Sequence, residues 1–231
     1  MQLLVAILGE TDYLEALAMQ EKLMQLRQQN KAPNIMLLLQ HPPTITIGTR
    51  DNRFNILTPE AELLRQGAKV YKINRGGDVT YHGPGQIVGY PILNLNGFGK
   101  SVRLYVDKLE EVFIQLLREE YGLSARRDSQ YTGVWVGDEK ITAIGCAVKR
   151  WVTMHGFAFN VNTNLSHFNW INPCGITDKG VTSLQKILGQ TQDVEKVYKQ
   201  VIAHFSRVLD CEPQVINRQT LLEILGGKAD E

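Results

Sequence analysis

Side chains that could do chemistry gather in three places of this 231-residue chain. The first is residues 75–86, Arg-Gly-Gly-Asp-Val-Thr-Tyr-His-Gly-Pro-Gly-Gln, where four glycines surround Arg75, Asp78, Thr80, Tyr81 and His82. Glycine allows positive φ and close approach to the backbone, so polar groups on such a segment can wall a pocket as well as decorate a loop. No Gly-Lys-Ser/Thr follows this run at Walker spacing, and Gly83, Gly85 and Gly89 do not have the dinucleotide spacing, so neither phosphate-cradling device is present. The second place is Cys174, in Ile-Asn-Pro-Cys-Gly-Ile, a loop context that can expose the sulfur. Cys146 lies inside an apolar strand pattern and reads as a small buried hydrophobe, while Cys211 stands between Asp210 and Glu212, which disfavour its thiolate. A reactive thiol needs a cation or a base beside it, which directs attention to His and Lys. The third place is therefore Lys140, at the start of Lys-Ile-Thr-Ala-Ile-Gly. Strict alternation puts Ala143 and Gly145 on the alternate face, small enough for a ligand to lie against the strand. Cys146 then shares the Lys140 face but lies roughly 20 Å along it, too far to be its partner. A lysine at a hairpin turn can equally be ordinary surface.

Composition narrows the classes. With 43% hydrophobic and 21% charged residues the chain is an ordinary globular one, long enough for one or two domains. Three cysteines without a Cys-x-x-Cys pair exclude a disulfide scaffold and a four-thiolate zinc site, and fit a reducing compartment. The five histidines show no metal-ligand spacing. A net charge of +1 makes no global case for nucleic acid or an anionic membrane, so a partner must be recognised locally. The apolar run 3–8 lacks a basic flank and is followed by Glu10 and Asp12, so it is expected to be a strand and not a signal; no run approaches the ~20 apolar residues of a membrane helix, and a cytoplasmic location is expected.

These residues must be positioned by regular elements. Three-four spacing predicts helices from Tyr13 to before Pro33, between Ser101 and Gly122, and over 193–209. Short apolar runs at 35–39, 44–47, 69–73, 87–93 and 157–161 predict strands, and 131–136 with 140–148 predict a hairpin across Gly137-Asp138. Several neighbouring strands have connections too short for a crossover helix, so the expected fold is α/β (α+β), a mixed and mainly antiparallel sheet flanked by helices. Residues 211–231 predict a short helix over 220–225 and a frayed polar end.

The run from Arg75, Gly-Val-Trp-Val from Gly133, Lys-Ile-Thr-Ala-Ile-Gly from Lys140, His-Gly-Phe-Ala-Phe-Asn-Val from His155 and Pro-Cys-Gly-Ile from Pro173 together resemble the lipoyl(octanoyl) transferases, acyltransferases of protein lipoylation and lipoate biosynthesis. Five motifs in order, spread over about 41–184, make the resemblance specific. It implies the fold of biotin and lipoate protein ligases, related to class II aminoacyl-tRNA synthetases, in a single catalytic domain over 1–231 with its core at about 30–210. It also implies a cysteine/lysine dyad, with Cys174 as the nucleophile that carries an acyl-thioester intermediate and Lys140 lowering its pKa. Three walls are implied for the acyl group: Arg75, Gly76, Gly77, Asp78, Val79, Thr80, Tyr81 and His82; then Ala143, Ile144 and Gly145; then Gly156, Phe157 and Ala158. Asp78 departs from the Gln or Glu more usual at that place.

The resemblance further implies octanoyl-acyl carrier protein as donor, and as acceptors a lysine on lipoyl domains of 2-oxoacid dehydrogenases and on glycine cleavage H protein. Because a thioester is already activated, neither cofactor, ATP nor metal is expected. An ATP-dependent lipoate-protein ligase and a non-catalytic lipoyl-domain binder are the alternatives, and Pro-Cys-Gly-Ile together with Lys140 argues against both. Amides near Cys174 and Gly175 are candidate oxyanion donors, and Arg50, Arg53, Lys149 and Arg150 are candidates for a basic docking rim.

Overall fold

The computed structural model describes residues 1–175 and 178–226, with Cys174 described by its backbone alone. Twelve strands and six α-helices run in the order β1 (Gln2–Glu10), α1 (Tyr13–Gln28), β2 (Asn34–Gln40), β3 (Thr44–Ile47), α2 (Glu60–Arg65), β4 (Lys69–Lys72), β5 (Val79–His82), β6 (Gln86–Ile92), α3 (Val102–Tyr121), β7 (Ala125–Arg127), β8 (Val134–Val136), β9 (Glu139–Lys149), β10 (Val152–Asn160), β11 (Gly180–Val181), α4 (Leu184–Leu188), α5 (Val194–Leu209), β12 (Glu212–Ile216) and α6 (Arg218–Leu225), counted among the described residues. The large sheet has the order β12-β1-β2-β6-β10-β9-β8-β7, with β11 paired to β9 off this path; a small sheet has the order β4-β3-β5. In the large sheet β1 is parallel to both β2 and β12, and β11 is parallel to β9; the pairs from β2 through β7 are antiparallel.

The apolar run at the amino terminus is β1, and its position between two strands explains why it is apolar on both faces: Leu3 and Val5 enter one core, Leu4 and Ala6 the other. The three predicted helices form, each with a side-chain cap: Asp12 accepts the Leu14 N–H, Ser101 that of Leu104, and Asp193 those of Glu195 and Lys196. The stripes of α3 and α5 cover one face of the sheet, where Phe113 meets Phe157 and Phe159 at ring-centroid distances of 4.8 and 5.1 Å. On the other face α1 and α6 pack over Leu37, Leu39, Val88 and Ile92. A third core lies under the small sheet, where Ile45, Ile47, Val79 and Tyr81 meet Phe168 and Trp170.

Six elements escaped the sequence patterns: the short helices α2 and α4, the two-residue β11, and three further strands. β5 lies inside the Gly-rich run that reads as loop, β7 is only three residues long, and β12 is an exposed polar edge strand without an apolar face. The polar end expected to fray, 227–231, lies outside the described residues. Among the described residues no helix is long and apolar enough to cross a membrane. Phe113→Ala should cost about 3–5 kcal/mol, because it empties the contact between α3 and two β10 aromatics; urea unfolding measures it, and a loss under about 1 kcal/mol would show that this core is not the main one.

Candidate active site

The site is built on the β9/β10 pair. Its register sets Ala143 opposite Ala158, Ile144 opposite Phe157 and Gly145 opposite Gly156. Strict alternation from Lys140 fails here. The β8/β9 register moves from Val134↔Thr142 to Trp135↔Lys140, so β9 carries one extra residue, Ile141, and bulges. Ile141, Ile144, Cys146 and Val148 consequently all join the α3/α5 core, while Lys140, Ala143 and Gly145 face the same pocket. The expectation that Lys140 and Cys146 share a face is corrected by this bulge.

One pocket lies on this strand pair. Arg75, Thr80 and His82 form one wall, Lys140, Ala143, Ile144 and Gly145 a second, and Gly156, Phe157 and Ala158 a third; Tyr13, Tyr90 and His155 complete it. The three walls suggested by sequence thus meet in one place. Gly76, Gly77 and Asp78 line an adjoining groove shared with Arg50 and Lys140. Val79 and Tyr81 point the other way, into the small-sheet core, by the period-2 rule on β5. The glycines also serve packing: a Cβ on Gly145 would stand 2.9 Å from Arg75 Cδ, and one on Gly156 would stand 2.3 Å from the Gly89 carbonyl oxygen of β6.

Arg75 is buried and braces its own loop. Its Nη2 donates to the carbonyls of Asp78 and Thr46 at 2.6 and 3.2 Å, and its Nη1 donates to the Gly76 carbonyl at 2.8 Å. Amides of Gly48, Thr49 and Arg50 hold the carbonyls of Asp78, Arg75 and Gly77. The Asp78 carboxylate does not face the pocket. It accepts from Asn55 Nδ2 and from the Asn52 N–H, while the Asn55 carbonyl accepts the Asn172 N–H at 2.7 Å. Asp78 therefore supports the turn at Pro173–Gly175.

That turn carries Cys174, whose thiol lies outside the described residues. Pro173 lines a second cavity together with Thr80, Lys140, Ala143 and Ala158, all four of which also line the first pocket. The Gly175 N–H donates to the Asn172 carbonyl at 3.0 Å and is already used inside the turn, which removes it from the candidate oxyanion donors. Lys140 is buried; its Nζ donates to the Thr132 carbonyl at 3.0 Å and stands 4.8 Å from the centroid of the Trp135 ring. Burial pushes the Cys146 thiol up to about 11, and burial, reinforced by Asp210, also raises Cys211. Lys149 and Arg150 sit at the far end of the hairpin, about nine residues and roughly 30 Å along β9 from Lys140. They cannot rim the same mouth as Arg50 and Arg53.

Sequence reading left His41 and His155 without a role and placed Tyr13 in a core stripe. His41 Nδ1 donates to the Thr11 carbonyl, so its Nε2 accepts from Tyr90 Oη at 2.8 Å. His82 Nδ1 donates to Gln86 Oε1 at 2.8 Å, and His155 Nε2 to Asn74 Oδ1 at 2.7 Å. Burial drives all three down, His41 to about 4, His82 and His155 to about 3; His41 and Arg75 add to the effect on His82, and Arg75 to that on His155. They are neutral at pH 7. Among the described residues no group of three His, Cys, Asp or Glu could hold a metal ion.

Sheet order, the covering helices and the pocket on β9/β10 define an α/β domain of the lipoate and biotin protein ligase type. Solved structures agree: lipoate-protein ligase A bound with ATP superposes with a TM-score of 0.73 at 16% identity, covering 97% of this chain and 92% of that one. Biotin protein ligase from Aquifex aeolicus with biotin and ATP gives 0.54 at 14% identity, over 91% and 71%. Residues 12–206 match the Lipoyl protein ligase A/B catalytic domain. An octanoyltransferase of Desulforamulus reducens is 74% identical over 98% of this chain and 99% of its own, and one of Caldicellulosiruptor saccharolyticus is 54% identical over 100% and 99%. The chain belongs to the lipoyl protein ligase A/B catalytic family, and within it to the octanoyltransferases.

The neutral histidines predict a pH response. Each binds a proton near pH 6.5 when unfolded but only near 3–4 when folded, so its contribution is present above about 6.5 and is lost as pH falls toward 4. Stability to urea should fall between pH 7 and pH 5, approaching about 1.4 kcal/mol per pH unit for each histidine below its unfolded pKa. His155→Gln should flatten that slope; an unchanged slope would show that His155 is not held neutral.

Proposed function

We propose that the chain transfers an octanoyl group from octanoyl-acyl carrier protein to a lysine of a lipoyl domain, through a thioester on Cys174. The observation that carries this reading is that Lys140, Ala143 and Ala158 line both the pocket on β9/β10 and the cavity that Pro173 of the Pro173–Gly175 turn borders. Burying an octanoyl tail against Ala143, Phe157 and Ala158 is favourable by about 0.8 kcal/mol per methylene. An ammonium at Lys140 favours thiolate over thiol at Cys174.

The reaction balances without an outside reagent. The Cys174 thiolate adds to the donor carbonyl, the carbon–sulfur bond to the carrier breaks, and the carrier thiolate takes a proton from Lys140. Lys140, now neutral, accepts the proton that the acceptor amine loses as it attacks the acyl-Cys174 carbonyl, and Cys174 leaves as thiolate beside a restored ammonium. Two sequential displacements give ping-pong kinetics. Acceptors of this chemistry are lipoyl domains of 2-oxoacid dehydrogenases and glycine cleavage H protein, and the chemistry calls for neither ATP nor metal. The domain as a whole, 1–231, is the catalytic unit in this reading, working in the cytoplasm.

Incubated with octanoyl-acyl carrier protein and no ATP, the protein should gain one octanoyl mass that hydroxylamine removes, and Cys174→Ala should gain none. An undiminished adduct on Cys174→Ala would sink the intermediate. Lys140→Ala should slow acylation at neutral pH at least tenfold and recover as pH rises; a loss independent of pH would exclude the proposed role.

Docking of an acidic carrier falls to Arg50, which lines the groove beside Lys140, and to Arg53 close to it in the chain, next to Phe54, which is 93% exposed. Arg50→Glu with Arg53→Glu should raise KM for the carrier-bound donor about tenfold and leave turnover of octanoyl-N-acetylcysteamine unchanged, whereas Lys149→Glu with Arg150→Glu should change neither. Equal effects of the two pairs would place docking elsewhere.

A further inference from the structure

We propose that Glu110 of α3 is a positioning residue for Lys140, acting through the single peptide group that joins Thr132 to Gly133. The inference rests on the reading of Lys140 as the lysine that stabilises the Cys174 thiolate. Glu110 is buried, and its Oε1 accepts the Gly133 N–H at 2.9 Å. The carbonyl of the same peptide, that of Thr132, accepts Lys140 Nζ at 3.0 Å. In a trans peptide the N–H and C=O point in opposite directions, so the carboxylate and the ammonium grip the two ends of one dipole. A carboxylate on the N–H end increases the negative charge on the carbonyl oxygen, and each hydrogen bond strengthens the other.

Gly133 makes the clamp possible. Its φ is +129°, and a Cβ there would stand 2.6 Å from the Thr142 carbonyl oxygen and 3.3 Å from Cδ and Cε of Lys140. The lysine stem therefore lies against Gly133, and its head rests over Trp135.

Burial of Glu110 is not needed for its ion pair. Arg127 Nε reaches Glu110 Oε2 at 3.2 Å, but Arg127 Nη2 also pairs with the more exposed Glu111 at 2.7 Å. A carboxylate taken out of water costs free energy that the surface pair does not require; the Gly133 amide is what its inward position gains. The charged groups around the pair are Arg127 from β7, Asp107 and Glu111 from α3, Lys179 over the same Trp135 ring, and Arg75 from the opposite pocket wall.

The test uses the full-length protein and reads the midpoint of Cys174 alkylation by iodoacetamide against pH, with the modified peptide followed by mass. Glu110→Leu and Lys140→Ala should each raise that midpoint by about one pH unit, a tenfold loss of thiolate at pH 7. Glu110→Gln, whose amide oxygen can still accept from Gly133, should stay within about twofold of wild type. The double variant should behave as Lys140→Ala alone, because Glu110 acts through Lys140. A wild-type midpoint for Glu110→Leu, or a further rise in the Lys140→Ala background, overturns the proposal while leaving the dyad intact. A wild-type midpoint for Lys140→Ala overturns the dyad and the proposal with it. The coupling is also read without touching Glu110: the Gly133 amide proton should move upfield in the nitrogen-correlated spectrum of Lys140→Ala, and an unmoved signal counts against the clamp.

Discussion

The extra residue that β9 carries at Ile141 decides which groups can meet in this molecule. Without it, alternation would turn Lys140 toward the α3/α5 core, where Ile144, Cys146 and Val148 stand. An ammonium among those side chains would be held at large cost. With the bulge, Ile141 fills the core, and Lys140 rotates to the opposite face, beside Ala143 and Gly145. The same shift brings Lys140 opposite Trp135, whose ring receives the cation, and under the Thr132 carbonyl, which accepts its hydrogen bond. One inserted residue thus satisfies an apolar core and a polar wall at once.

Arg75 imposes the second constraint, because a buried guanidinium must be surrounded by acceptors. Here they include the backbone carbonyls of Thr46, Gly76 and Asp78 and the Thr46 hydroxyl. Its field also holds His82 and His155 in the neutral form that burial already favours. The inner pocket therefore offers apolar walls and neutral rings between two held cations, Arg75 on its own loop and Lys140 on the Thr132 carbonyl. Its apolar floor accommodates an uncharged chain.

What could be read from sequence follows from which signals are local. The stripes of α3 and α5 and the Gly137-Asp138 turn are periodic or short-range, and they appear where expected. The bulge is not local: it is an offset between two strands, visible only once Val134 and Trp135 have partners. β5 was hidden by flanking glycines, although the alternation of Val79 and Tyr81 with Thr80 and His82 is the signal that separates core from pocket residues. Tyr13 obeyed the core pattern of α1 and still reaches the pocket, because a helix stripe does not distinguish a core from a cavity in it.

Lys140 and the turn bearing Cys174 belong to different packing units, which makes their relative placement a tertiary property. Lys140 is fixed by its pairing with β8 and by the peptide at Thr132, within the large sheet. The turn is fixed from the small-sheet side, through Asp78, Asn55 and Asn172 and the bridge between Ile56 and Ile171. After the turn the chain returns to β9, where β11 pairs with Glu139 and Lys140 and the Thr182 N–H donates to the Lys140 carbonyl at 3.0 Å. The segment from Asn172 to Gly180 is therefore anchored at one end to the small sheet and at the other to the lysine strand itself. Asp78 then matters to the site without touching its pocket: loosening Asn55 would release the first anchor and leave only the second.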